Sequence, residues 1–403
     1  CCQRMDPERR GSVRLFALDA EQSLPVGVEA SLADLRATAS AGRPVAAADG
    51  VASIFYTGGT TGRSKGVQLT HANHVLHSLA LAAELNLAHG TRHLHVAPMF
   101  HIADSLFFHV VTALGGTHIV VPRFDPQSCG QALSTASIDQ TILVPTMIGM
   151  LMNEEVGRTG LKALGRLYYG ASPMPQALLE RLMAECPGLE LVQLYGQTES
   201  GPVLTVLGND DHHRTDRNVT RSAGRAMLGC EVGIVDPSDN FLPAGEHGEI
   251  VAKGPQVTPG YLNRPAENAS TFRGGWLHTG DAGFMDDEGY VYVTDRIKDM
   301  IITGGENVYS VEVEQAIYAM DGVDQCCVVG VPHEKWGEAV HAIVVPKAGS
   351  AIDRTAVLAH CAECLANYKR PLEVTIREEP LPVSGAGKIL KRVLRDELGK
   401  HGA

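Results

Sequence analysis

An eleven-residue string, Tyr56-Thr57-Gly58-Gly59-Thr60-Thr61-Gly62-Arg63-Ser64-Lys65-Gly66, constrains the fold of this chain more than any other stretch. It follows a β-type run, Val51-Ala52-Ser53-Ile54-Phe55, and leads through Val67-Gln68-Leu69 to a helix whose expected N-cap is Thr70. Glycines lack a Cβ and let backbone N–H groups turn toward an anion, while the Thr and Ser hydroxyls and Lys65 add donors and a positive charge. The string therefore reads as a phosphate cradle. It is not a P-loop of the GxxxxGK(S/T) kind, because Ser64 stands where that pattern needs Gly and Gly66 where it needs a Mg-binding hydroxyl.

A phosphorylated ligand must be held locally, since the chain as a whole is acidic. The net charge of -12 leaves no basic footprint for nucleic acid or anionic lipid. With 403 residues and 44% hydrophobic content, two or more globular domains with their own cores are expected. The best apolar stretch, Val75 to Leu87, is interrupted by His77, Ser78 and Glu84 and falls short of the ~20 residues of a membrane span. Cys1 to Arg10 is charged and no apolar h-region follows, so no signal peptide is expected. Nine cysteines without framework spacing fit a reducing cytoplasm. Cys361 and Cys364 share a CxxC spacing, but no second pair or nearby His completes a site, and they read as helix packing.

In chain order, residues 1 to about 50 carry no legible chemistry, and Ser31 to Ala39 suggests a short helix. From 51 to about 205, apolar runs such as Ile119-Val120-Val121 and Ile142-Leu143-Val144 alternate with helical segments such as Ala177 to Glu185. That alternation predicts an α/β fold of βαβ units around a mostly parallel sheet, with ligands where strands end. Three strings occupy such positions: Pro98-Met99-Phe100-His101-Ile102-Ala103-Asp104, before a helix near Ser105; Gly170-Ala171-Ser172; and Gln193-Leu194-Tyr195-Gly196-Gln197-Thr198-Glu199. Residues 221 to 294, with short runs between Gly/Pro turns, suggest a small antiparallel, β-barrel-like unit. The charged interruption Asp295 to Asp299 precedes a separate α+β lobe, giving boundaries of 1–294, a hinge at 295–298 centred on Lys298, and 299–403.

Several residues suggest chemistry directly. Tyr195, Thr198 and Glu199 place an aromatic ring, a hydroxyl and a carboxylate within five residues, and Glu199 suits Mg²⁺, which takes one or two carboxylates beside phosphate oxygens. In Trp276-Leu277-His278-Thr279-Gly280-Asp281 a carboxylate follows a Gly turn and could accept both hydroxyls of a ribose. Pro382-Val383-Ser384-Gly385-Ala386-Gly387-Lys388 puts one Lys on a Gly loop, from which a point charge can reach another lobe.

Together these strings resemble the adenylate-forming superfamily: acyl- and aryl-CoA synthetases, peptide-synthetase adenylation domains and beetle luciferases. Asp295-Arg296-Ile297-Lys298-Asp299 through Thr303-Gly304-Gly305-Glu306 resembles the acyl-CoA-synthetase form of the hinge and the Gly loop after it, where peptide-synthetase domains carry a Lys-Ile-Arg-Gly type string. The resemblance implies nucleotide contacts from Thr57 to Gly62, Ser64, Gly170 to Ser172, Gln193 to Gly196, Asp281, Arg296 and Lys298, with Lys65, Thr198, Glu199 and Lys388 in catalysis. It implies a gate at His101 and CoA contacts from Gly304, Gly305, Glu306, Trp336, Lys369 and Arg370, whose basic members could pair with phosphates.

The activity so implied is acid–CoA ligation. A carboxylic acid, fatty or otherwise apolar, attacks the α-phosphate of ATP with Mg²⁺; pyrophosphate leaves; the CoA thiol then displaces AMP. A hinge lets the two half-reactions use different lobe arrangements, Lys388 serving the first and the Gly304-Gly305 loop lining a thiol tunnel in the second. Phe100, Ile102 and Met147 are candidate walls of the acid pocket above Gly170, Ala171 and Ser172. An aryl-acid ligase, a carrier-protein acylase and a nucleotide-binding remnant without turnover are the alternatives, and a homodimer is left open. Relatives of this type carry on the order of a hundred further residues ahead of the phosphate loop, so the chain is either a fragment or a short form.

Overall fold

The computed structural model describes residues 47–57, 64–347, 349–384 and 388–401, together with the two-residue strands Phe16–Ala17 and Ala30–Ser31. The chain divides into two units, Cys1–Ala47 and Ala48–Ala403. In the first, Phe16–Ala17 pairs in parallel with Ala30–Ser31. Ser31 is thus a strand residue, and the rest of the helix expected over 31–39 lies outside the described residues.

The second unit begins with a hairpin. Strand Val51–Thr57 pairs antiparallel with Lys65–Thr70, with Thr57 opposite Lys65 and Tyr56 opposite Gly66. The phosphate-loop string therefore joins two strands, and Lys65 sits in the second of them, one strand earlier than the expected passage to the helix. The alternation of Val67 and Leu69, both fully buried, sets that strand's inward face. Thr70 is the N-cap as expected: its Oγ1 accepts from the Asn73 amide (3.0 Å) while Asn73 Oδ1 accepts from the Thr70 amide (2.9 Å), a reciprocal pair that fixes the start of helix His71–Glu84.

The main sheet has seven strands in the order Arg225–Ala226, Thr205–Leu207, Glu190–Tyr195, Arg166–Gly170, Gln140–Leu143, Arg92–His95, Thr117–Val120. The last five run parallel and the first two are antiparallel additions. Helices on both faces bury it, which explains the unbroken apolar runs in its strands. Because the five strands are parallel, their carboxyl ends share one edge, where the segments after His95, Gly170 and Tyr195 emerge. Helix Ile102–Ala113 starts three residues before the expected Ser105, because His101 caps it: its Nδ1 accepts from the Ala103 amide at 3.2 Å.

The small antiparallel unit is a four-stranded sheet, Glu231–Val235, Gly248–Lys253, Leu277–Met285 and Val291–Arg296 in spatial order. Beyond it, Val323–His333 and Gly337–Pro346 form the long hairpin of the C-terminal sheet. Cys326 and Val328 pack under helices Ser310–Tyr318 and Arg354–Cys364, whereas Cys327 and Val329 face Leu394 of helix Lys391–His401. Period-two alternation thus places helices on both faces of this sheet as well. The seven described cysteines are free. Cys361 is buried as expected, but Cys364 is exposed and directs its Sγ at the His360 carbonyl, so the shared-face packing holds for one of the pair. Among the described residues no helix is long and apolar enough to cross a membrane.

Candidate active site

At the carboxyl edge of the main sheet, two glycines are required by close approach of backbone. A Cβ on Gly170 would collide with the Leu194 carbonyl, and one on Gly196 with the Pro202 carbonyl. Between them the next residue, Ala171, holds a left-handed φ of 65°, which costs a non-glycine residue energy and is typical of positions held by their surroundings.

Asp281 comes from the strand Leu277–Met285, directly opposite Arg296 on Val291–Arg296. Its buried carboxylate receives Arg296 Nε on Oδ1 (2.7 Å) and the Tyr195 hydroxyl on Oδ2 (2.7 Å). Thr279, whose hydroxyl donates to the Ile250 carbonyl (2.7 Å), accepts from the Asp281 amide (3.1 Å) and shapes the turn. Burial pushes Asp281 above the ordinary carboxylate range against the pull of Arg296 and Tyr195. Glu199, in the short helical turn Thr198–Ser200, is also buried; its Oε1 accepts from the Tyr261 hydroxyl at 2.8 Å. Lys65 Nζ lies over the Tyr261 ring, 4.7 Å from its centre. Tyr261 therefore links Lys65 to Glu199, although no sequence motif pointed to it. Its only signal was the Gly260-Tyr261 pair, which hydrogen-bonds across to Gln68 and Val67 of the Lys65 strand.

Lys388 reaches this place from the C-terminal lobe. Burial and the nearby Arg296 lower its pKa, while Asp281 and Glu199 act in the opposite sense. His101 is close enough that burial, aided by Lys388, holds its imidazole at about 4, so the ring is neutral at physiological pH. The backbone around Lys388 is closed by Ser384, whose amide donates to the Lys388 carbonyl (2.7 Å) and whose Oγ accepts from the Lys388 amide (3.2 Å). Gln315 of the C-terminal lobe accepts from the Gln176 amide (3.2 Å) and donates to the Met174 carbonyl (3.1 Å), holding the lobes together beside the Ala171 turn.

So the structure gathers Lys65, Tyr195, Glu199, Asp281, Arg296 and Lys388, with His101 at the margin. Thr198 is buried next to Glu199, Gly196 lies in the same turn, and Thr57 faces Lys65 across the hairpin, its hydroxyl 3.5 Å from the Lys65 carbonyl. Gln193 and Leu194 are ladder residues, and the Leu194 side chain is packed in the core. Ser64 is exposed just before the strand Lys65–Thr70, and Ser172 follows Ala171 at the sheet edge. Gly58, Gly59, Thr60, Thr61 and Gly62 lie outside the described residues, as do Gly385 to Gly387. Lys298 is 3.8 Å from Asp299, and burial lowers its pKa.

The residues expected at CoA form a second group. The Gly304 amide donates to the Trp336 carbonyl (2.8 Å), Glu306 follows in the same hairpin, and Lys369 is engaged by both oxygens of Glu312 (2.7 and 2.8 Å). Arg370 donates to the Leu365 carbonyl. Among the described residues no hydrogen bond or ion pair joins this group to Asp281, Glu199 or Lys388. The suggested acid-pocket walls also separate: Ile102 packs with Val67, Leu69 and Tyr261, Met147 lies in the core beneath the main sheet, and Phe100 is 74% exposed.

Residues 7–262 match the AMP-binding enzyme family and residues 312–388 the AMP-binding enzyme C-terminal domain. The chain is 40% identical over 353 residues to a feruloyl-CoA synthase of Amycolatopsis, covering 87% of this chain and 70% of that protein. It is 38% identical over 356 residues to a medium/long-chain-fatty-acid–CoA ligase of Mycobacterium tuberculosis, covering 86% and 61%. Among solved structures, ATP-bound MatB from Rhodopseudomonas palustris superposes with a TM-score of 0.84 at 33% identity, covering 92% of this chain and 75% of that one. With the nucleotide-site strings in place and matches in both domains, the chain belongs to the AMP-binding enzyme family, in its acid–CoA ligase branch.

Proposed function

We propose that this protein activates an apolar carboxylic acid as its acyl-adenylate at the Asp281–Glu199–Lys388 cluster and then passes the acyl group to CoA. One observation supports the assignment of residues: Lys388, from the C-terminal lobe, lies within electrostatic reach of both Asp281, on the strand Leu277–Met285, and Glu199, in the turn Thr198–Ser200. ATP brings a ribose and a triphosphate, which ask for a hydroxyl acceptor and for cations. The Asp281 carboxylate has about four lone-pair directions, of which Arg296 and Tyr195 use two, so it can still accept ribose hydroxyls while held in place.

Lys65 faces the β- and γ-phosphates in this reading, and Lys388 offsets charge that grows on the α-phosphate as the acid attacks and pyrophosphate leaves. Glu199 fits Mg²⁺: Tyr261 orients one carboxylate oxygen, and no described residue donates to the other. Bound there, Mg²⁺ would offset phosphate charge. Neutral His101 can stand between acid and thiol without adding charge.

The second half-reaction needs the Gly304–Trp336 group at the same carbonyl, so the lobe after residues 295–298 turns about Lys298. Gln315 leaves Met174 and Gln176 in that turn, and Lys369 exchanges Glu312 for a CoA phosphate. The free, largely buried cysteines support a cytoplasmic setting. The test is AMP release over apolar acids of increasing length and aryl acids, each with and without CoA. Acid-dependent pyrophosphate exchange without CoA, and thioester only with it, is the expected result; thioester from a carrier protein but not from CoA would overturn the acceptor.

A further inference from the structure

Apart from the nucleotide site, the most concentrated chemistry in the unit lies beneath the start of helix Ile102–Ala113. His93 and His95 project from the same face of strand Arg92–His95, and Asp104 points at them from the helix's first turn. All three are buried, with exposures of 0%, 1% and 0%, and their nearest ligand atoms lie within 4.8 Å of one another. His95 Nδ1 is 2.9 Å and His93 Nε2 3.5 Å from Asp104 Oδ1.

Donor counting shows that this centre wants a cation. The single hydroxyl proton of Thr112 goes to the Phe108 carbonyl (2.6 Å), so His118 Nε2, 3.0 Å from that hydroxyl, must be the donor between them. A neutral His118 then accepts on Nδ1 from His95 Nε2–H at 2.8 Å. That leaves a neutral His95 with its Nδ1 lone pair facing a carboxylate oxygen, two acceptors in contact. A proton placed between them would relieve that pair alone. His93 Nε2 and Asp104 Oδ2, both buried, would still lack a hydrogen-bond partner.

We propose that His93 Nε2, His95 Nδ1 and Asp104 bind a divalent transition-metal ion, Zn²⁺ by donor type, which fastens the helix capped by His101 to the main sheet. Two imidazoles and a carboxylate are a common zinc set, and bond lengths near 2.0–2.2 Å put tetrahedral ligand atoms roughly 3.3 Å apart. The separations of 2.9 and 3.5 Å to Asp104 bracket that value. Each ring also has a partner for its far nitrogen, as metal-bound histidines require: His118 for His95, and Gln140, whose amide lies 3.3 Å from His93 Nδ1. Loading asks the Gln140 amide for a half-turn, so that its oxygen, which now accepts from the Tyr168 hydroxyl at 2.9 Å, accepts from His93 Nδ1–H while its nitrogen donates to that hydroxyl.

The test uses the full chain purified without chelator, dialysed against Zn²⁺ or Co²⁺ and then against buffer. The wild type should retain about one equivalent more metal than Asp104→Asn or His95→Gln, and the Co²⁺ form should show visible d–d absorption that both variants lose. Should the variants not fold, chelation of the wild type should lower its thermal midpoint and Zn²⁺ should restore it. Equal metal content in wild type and folded variants, or a midpoint indifferent to chelator and Zn²⁺, would overturn the site and leave a proton-shared ion pair.

Discussion

Replacing Lys388 with Met separates the two half-reactions. Met keeps the length of the stem and removes the charge. Because Lys388 is half-buried within electrostatic reach of Asp281 and Glu199, its charge acts in a medium that screens less than water; at an effective dielectric of 20, charges ~4 Å apart interact by about 4 kcal/mol. Mutational losses of one preorganised donor run at about 2.7–4 kcal/mol, so acyl-adenylate formation, followed by pyrophosphate exchange, should fall by about 10²–10³. Thioester formation from pre-made acyl-AMP and CoA should stay close to the wild-type rate.

The fold should change little, by less than about 1 kcal/mol, since the Ser384 backbone contacts close the loop without the side chain. The pH profile gives a second reading. A lowered pKa means that Lys388 sheds its proton sooner than the ordinary ~10.4, so kcat/KM for adenylation should decline at a lower alkaline pH than an exposed lysine would produce. Lys388→Arg, charged throughout, should lose that alkaline limb. Equal loss of both half-reactions in Lys388→Met would refute the reasoning, because a positioning defect would strike both.

Tyr261→Phe removes the hydroxyl that orients Glu199, a bond to a charged group worth about 1.5–3 kcal/mol; the Mg²⁺ concentration for half-maximal adenylation should rise about tenfold or more, and an unchanged Mg²⁺ titration would detach Tyr261 from the site. Lys391→Met strands Glu314, now paired at 2.8 Å within the C-terminal lobe, and should cost about 3 kcal/mol by urea unfolding. Burial already raises the Glu314 pKa, so the stability it contributes is present at low pH and is lost as pH rises through the folded value. The deficit of the variant should therefore be wider at pH 8 than at pH 5, and a pH-independent deficit would contradict the pairing.

Local chemistry was legible from the residues themselves. The Thr70 cap, the alternating runs of the parallel sheet and the separate C-terminal lobe follow from periodicity and capping, which depend on neighbours a few positions away. Asp281 and Lys388 were singled out differently: a carboxylate after a Gly turn and a lysine on a Gly loop are unremarkable alone, and the resemblance of their short strings to the adenylate-forming superfamily marked them. The hairpin around the phosphate loop was not readable, because Lys65 to Thr70 is too short to distinguish a strand from a lead-in to a helix until Val51–Thr57 pairs with it. Nor was the start of the 102–113 helix, which His101 sets through a capping bond that its residue type seldom makes.

What the sequence by itself determined is which residue types are available for phosphate, ribose and metal, and roughly where the chain turns. Tertiary structure alone decided that Tyr261 orients Glu199 and that Lys388 shares a site with residues some hundred and two hundred positions away. It alone seated Asp104 against two buried histidines of the main sheet. Such pairings depend on register and on sheet order, which are summed over the whole core, and no window of neighbouring residues contains them.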